Sequence, residues 1–140
     1  MSNVNKEYSD TTLGTQEPQV TVVGSEFVPG NEGNAMISQA RGYHVMRFPN
    51  GEAYHTRGGY LMELVPDYCG DSAMTCELLE ILGVALMVLP AEKPKGVRKF
   101  EPGFSAFYEV DNKLYATVPM PTEDDACACA LWSVLGVSHD

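Results

Sequence analysis

The chain has 140 residues, 44% hydrophobic and 20% charged, the composition of a soluble globular protein of single-domain size. Nineteen carboxylates against nine basic side chains leave a net charge of −10, which speaks against unaided binding to nucleic-acid phosphates. That field suits solubility, or steering toward a partner's basic surface.

Residues 1–17 are polar and carry no apolar period, so they read as a disordered tail without the apolar stretch of a secretion signal. Gln19–Val23 is short and β-branched and predicts a strand. Gly24–Asn34 holds three glycines, a proline and two asparagines and predicts a loop, while Ala35–Gln39 fits no one element. Strands are then expected over Tyr43–Phe48, Glu52–Arg57 and Tyr60–Val65, with a two-residue turn at Gly58-Gly59. Asp71 or Ser72 caps a helix that runs to Gly83. Its alternation puts Leu78, Ile81 and Leu82 in the core and Glu77 and Glu80 in water. Val84–Pro90 extends that helix or forms a further strand, and Ala91–Lys95 is a linker.

The second half reads alike. Strands are expected over Val97–Phe100, Ser105–Val110 and Lys113–Val118, with a turn at Asp111-Asn112. Thr122 caps a second helix, and three carboxylates in its first turn complement the helix dipole. Between Ala126 and Leu135 only Ser133 is polar, so this helix is either enclosed on all sides or self-associating. Trp132, Leu131, Leu135 and Cys129 are the candidate interface residues.

This likeness is a repeat. Shifted by 53 residues, Pro49–Val84 lies over Pro102–Val137 without a gap, and twelve of the 36 pairs are identical. Ordinary composition gives roughly two or three matches at a fixed offset. The expected fold is therefore α+β. Tandem βββα repeats, about 43–89 and 96–137, are related by pseudo-twofold symmetry, and two helices pack an antiparallel sheet. Residues 18–140 form the single domain.

Chemistry is sparse. There is no CxxC, no zinc-spaced histidine pair, no GxGxxG after a strand and no P-loop, so no metal or cofactor is expected. Four cysteines without a secretion signal predict reduced thiols and a cytoplasmic location. Cys76 and Cys129 are equivalent in the repeat and predict small buried packing positions. Cys69 precedes a helix N-terminus, which lowers a thiol pKa, and His55 on the preceding hairpin could reach it, so these two are the catalytic candidates. Arg57 and Glu63 are the ligand-binding candidates, and with Cys69 and His55 would line a pocket at the repeat junction. Glu63 shares a strand face with Leu61 and Val65, where a sheet-edge position reaching water accounts for it. Lys93, Lys95, Arg98 and Lys99 form the one basic cluster, and Tyr54, Tyr60, Tyr108 and Tyr115 fall in the hairpins, where an exposed set suits recognition.

With no nucleophile, base and orienter in one motif, the reading is a non-catalytic interaction domain. It is an adaptor, a chaperone-like protein or a phage-type inhibitor, it homodimerises, and it binds another protein with a basic surface, not nucleic acid or membrane. The alternative is a small-molecule binder or small enzyme. The element order after residue 43, βββ-α-ββ-α, together with the acidic charge is similar to that of class I type III secretion chaperones. Such chaperones begin with a helix, and residues 1–42 are poor helix material.

Overall fold

The computed structural model describes residues 19–58, 61–91 and 103–136. The expected tail, the strand at Val97–Phe100, the basic cluster Lys93–Lys99 and His139 lie outside them.

The architecture is α+β, with two sheets and three helices among the described residues. Strand β1 (Val20–Val23) is followed by helix α1 (Asn31–Ala40). Strands β2 (His44–Arg47), β3 (Ala53–Thr56) and β4 (Glu63–Leu64) form an antiparallel three-stranded sheet in that order. A 3-10 turn (Tyr68–Gly70) leads into α2 (Ser72–Ile81). Strands β5 (Met87–Pro90), β6 (Phe104–Val110) and β7 (Lys113–Thr117) precede α3 (Glu123–Gly136). The second sheet runs β1-β7-β6-β5, and β1 lies parallel to β7. The single antiparallel sheet with two helices expected from the sequence is thus corrected to two sheets, one parallel pair and three helices.

The third helix, α1, replaces the loop expected through Asn34. Its start carries no side-chain cap, and the capping position is Gly30 at φ 94°, so the usual sequence signature of a helix start is missing. Gly33, read as a loop glycine, sits inside α1 because a Cβ there would run into the Val28 carbonyl and the Phe27 ring. Burial of Ala35 and Ile37 compensates the weak local propensity.

Both expected caps are in place on the other helices. The Asp71 carboxylate accepts from the Met74 N–H at 3.1 Å, and Thr122 Oγ1 accepts from the Asp125 N–H at 3.0 Å. The β6–β7 turn has Asp111 at φ 53° and Asn112 at φ 65°, both left-handed as a two-residue hairpin requires.

The two hairpins do not share one register. His55 stands opposite Glu63, whereas Tyr108, its counterpart 53 residues on, stands opposite Tyr115 and not Ala116. The turn expected at Gly58-Gly59 runs into Gly59, which lies outside the described residues. Leu61, expected in the core, is 85% exposed, while Val65 is buried.

Helix α3 is the hub. It lies on the four-stranded sheet and packs against α1, α2 and the 3-10 turn, while α1 lies on the three-stranded sheet. Residues Asp125–Leu131 are therefore buried without interruption, which is why the helix can be apolar all round. Among the described residues, helix α2 packs chiefly on α3 and the 3-10 turn, and buries Thr75 and Leu79. Ile81 and Leu82, expected in the core, are exposed, because no layer among the described residues opposes the C-terminal end of α2. Cys76 is exposed as well, while its repeat counterpart Cys129 is fully buried on the hub helix.

Candidate functional site

The cross-strand register of the three-stranded sheet gathers a polar and aromatic cluster. His44 pairs with Thr56 and Val45 with His55, which sets Tyr43 across from Arg57 and diagonal to His55 on one face. His55 is in turn directly opposite Glu63. The Tyr43 and His55 rings stack with centroids 4.0 Å apart and planes 10° from parallel. The Arg57 guanidinium lies over the Tyr43 ring at 4.5 Å from its centroid.

Helix α1 completes the cluster. Ser38, fully buried, places its hydroxyl 2.9 Å from His55 Nδ1. Arg41, just past the helix end, lies 5.5 Å from the Tyr43 centroid and 5.9 Å from that of Tyr68, and donates from Nη1 to the Tyr68 hydroxyl at 2.7 Å. Two further bonds tie α1 to the 3-10 turn. Asn34 donates to the Asp67 carboxylate at 3.1 Å and accepts from the Cys69 N–H at 2.8 Å.

The imidazole of His55 is held below its ordinary pKa, first by burial, with the positive charges of Arg41 and Arg57 acting in the same direction and Glu63 opposing them. The Glu63 carboxylate, 82% exposed, stands 4.0 Å from His55 Nε2. Its exposure fits the sheet-edge position expected for it, since β4 is an edge strand. Ser38, His55 and Glu63 thus form a line of hydroxyl, imidazole and carboxylate. The hydroxyl is sealed inside the chain, so a substrate in solvent has no path to it, and its role is to fix the ring.

Cys69 is not part of this group. His55 has Ser38 and Glu63 as its polar partners, whereas the Cys69 thiol is buried between α1 and the hub. Burial pushes its pKa up to about 12, so the thiolate expected beside a helix N-terminus does not form near neutral pH. The 3-10 turn that intervenes before α2 removes Cys69 from the helix start. His55, Arg57 and Glu63 are therefore brought together, and Cys69 is set apart.

Sequence reasoning missed Ser38, Arg41, Tyr43 and Tyr68. The strand alternation through Tyr43 and the cross-strand register carry the signal for Tyr43, but Ser38 and Arg41 enter only through α1.

The expected interface residues divide in two. Leu131 and Cys129 are fully enclosed by this chain's own elements, and Trp132 and Leu135 remain part-exposed. Of the hairpin tyrosines, Tyr108 is buried and stacked on Tyr115, Tyr54 is half-buried, and Tyr60 lies outside the described residues. The expected exposed tyrosine surface is accordingly not present at Tyr108.

Exposed apolar side chains lie elsewhere. Leu61, Met62 and Leu64 flank the edge strand β4, Met87 and Leu89 lie on the edge strand β5, and Ile81 and Leu82 end α2. A concavity of about 540 Å³ is lined by Ala73, Cys76, Leu79, Val84 and Leu86, with Glu77 and Glu80 on its wall. Among the described residues no three His, Cys, Asp or Glu side chains converge as metal ligands, and no helix is long and apolar enough to cross a membrane.

No known protein family and no curated protein matches this chain. A solved structure, a hypothetical protein from S. aureus, is similar over 76% of this chain and 96% of its own, at 12% identity and a TM-score of 0.25. A likeness that slight carries no argument about fold or function.

Proposed function

We propose that the chain is a non-catalytic, acidic protein-interaction domain whose partner is a protein with a basic surface. The observation that carries this reading is the apolar dressing of two edge strands, β4 of one sheet and β5 of the other. Leu64 on β4 and Met87 on β5 are 59% and 60% exposed, and Ile81 at the end of α2 is 78% exposed. Edge strands present unpaired backbone donors and acceptors, and soluble proteins ordinarily blunt them. Here they carry apolar side chains beside carboxylates such as Glu63, Glu77 and Glu80, within a field of −10. Apolar contact then supplies affinity, and charge supplies orientation and encounter rate.

A chaperone-like version of this role gains support from α1, a helix ahead of the three-stranded sheet, while strand β1 before it departs from class I type III secretion chaperones, which begin with a helix. An inhibitor of a basic machine, of the kind phages encode, has the same requirements. The duplication of a βββα unit with pseudo-twofold symmetry is part of this proposal. Twelve identities in 36 aligned pairs support it, as does the order strand, strand, helix in each stretch. Self-association through the part-exposed Trp132 and Leu135 would make the domain a homodimer.

The test is retention of a partner by the immobilised chain and by a Leu64→Glu/Met87→Glu variant. The expected result is one basic protein held at low salt, and lost both at high salt and in the variant. If no protein is retained while a metabolite raises the melting temperature, the interaction reading is wrong and a small-molecule role replaces it.

A further inference from the structure

We propose that Arg41 and Arg57, gathered on the Tyr43 ring, form a binding site for a phosphate-type dianion. The inference is independent of the protein-binding role.

The argument starts from charge accounting. Arg47 is neutralised, since its Nε and Nη2 reach the two Glu32 carboxylate oxygens at 2.8 and 2.9 Å. Arg41 and Arg57 have no carboxylate partner among the described residues. Both stand within 5.5 Å of one ring centroid, in a protein with ten more negative than positive charges. Like charges so placed repel, and a chain rich in carboxylates had ample means to pair them. Instead each is held at an aromatic ring, and Arg57 lies at an exposed position. Arg41 spends one Nη on the Tyr68 hydroxyl, which fixes its direction, and keeps its remaining donors.

Two guanidiniums that share one ring match the charge of a dianionic phosphate group, which accepts several charge-assisted bonds at once. A monoanion such as acetate satisfies only half of that charge. Glu63 faces the cluster from the opposite strand. Its 4.0 Å approach to His55 Nε2 orients it to the imidazole edge.

His55 supplies a built-in reporter. The groups facing it are Ser38 at Nδ1, Glu63 at Nε2, the Tyr43 ring and the two arginine charges. The arginines disfavour its protonation, so an anion bound between them raises its pKa.

The experiment is an NMR titration of the imidazole protons with inorganic phosphate and, separately, glycerol phosphate, with acetate as control. The His55 signal is assigned by its loss in His55→Gln. Both phosphate probes should shift this signal saturably and move its titration to higher pH, while acetate should not. A tighter fit for glycerol phosphate points to a phosphomonoester ligand, and equal fits point to free phosphate. Arg57→Gln, at an exposed position, should weaken the binding about tenfold, and Arg41→Lys, which keeps charge but loses the fork, should weaken it several-fold. Amide spectra of the variants check that each remains folded. A His55 signal that does not respond to about 50 mM phosphate at low salt, or one that responds equally in Arg57→Gln, overturns the proposal.

Discussion

His55 shows how one residue's environment sets a property of the whole chain. Burial holds its folded pKa below the ordinary 6.5, so the native state binds fewer protons than the unfolded state just below that pH. Stability is complete above the ordinary value and declines as pH falls through it toward the folded value. The melting temperature should therefore drop between pH 7.5 and 5.5, and His55→Gln should lessen that drop; equal slopes in thermal melts of the two proteins would remove His55 as the cause. The thiols give a second residue-scale outcome. Cys69, Cys127 and Cys129 are buried, with pKa values pushed up to about 12, whereas Cys76 is exposed. Alkylation of the folded protein should modify one cysteine rapidly and the other three only on unfolding. Mass spectrometry identifies the labelled peptide, and rapid labelling of Cys69 would restore it as a candidate nucleophile.

At the scale of the element, helix starts divide into those with local support and the one without. Thr122 both accepts from the Asp125 N–H and donates its hydroxyl to the Asp125 carboxylate, so the two residues support each other at the head of α3. Asp71 caps α2 alone. Asp71→Ala and Thr122→Ala should each cost about 1 kcal/mol in urea denaturation. The larger loss is expected at Thr122, because α3 is the hub and its first turn is tied to the folded core. Helix α1 has no such cap and draws its order from packing of Ile37 and Ala35 and from the Asn34 and Arg41 bonds to the 3-10 turn.

For the whole molecule the governing fact is the position of α3 between α1 and the four-stranded sheet. Leu131, with no exposed surface, should cost about 3–4 kcal/mol when truncated to Ala, because its surroundings on every side belong to fixed elements. Trp132 differs, since part of its ring is open and its inner face packs tilted on Phe27 at 5.8 Å. If Trp132 and Leu135 hold a homodimer, light scattering should give twice the chain mass, and Trp132→Glu should yield a folded monomer. A wild-type chain that is monomeric at every concentration tested would make the remaining exposure of Trp132 incidental.

Much of this protein is written locally. The α+β class, strand β1, the hairpin at Asp111-Asn112 and the capped helices at Asp71 and Thr122 follow from β-branched runs, residues that accept positive φ and side chains that reach their own backbone. All of these act within a few residues of chain. The doubled pattern of residues 49–84 and 102–137 is equally legible, and so is the meeting of His55, Arg57 and Glu63 on one hairpin. What local pattern could not decide was partnership over distance. Helix α1 formed without a cap because burial outweighs propensity, and it brought Ser38, Asn34 and Arg41 to strands and turns far along the chain. The division of the strands between two sheets and the parallel pairing of β1 with β7 depend on which apolar faces could be buried together. Cys76 and Cys129, alike in sequence context, ended outside and inside because only α3 has neighbours on every side.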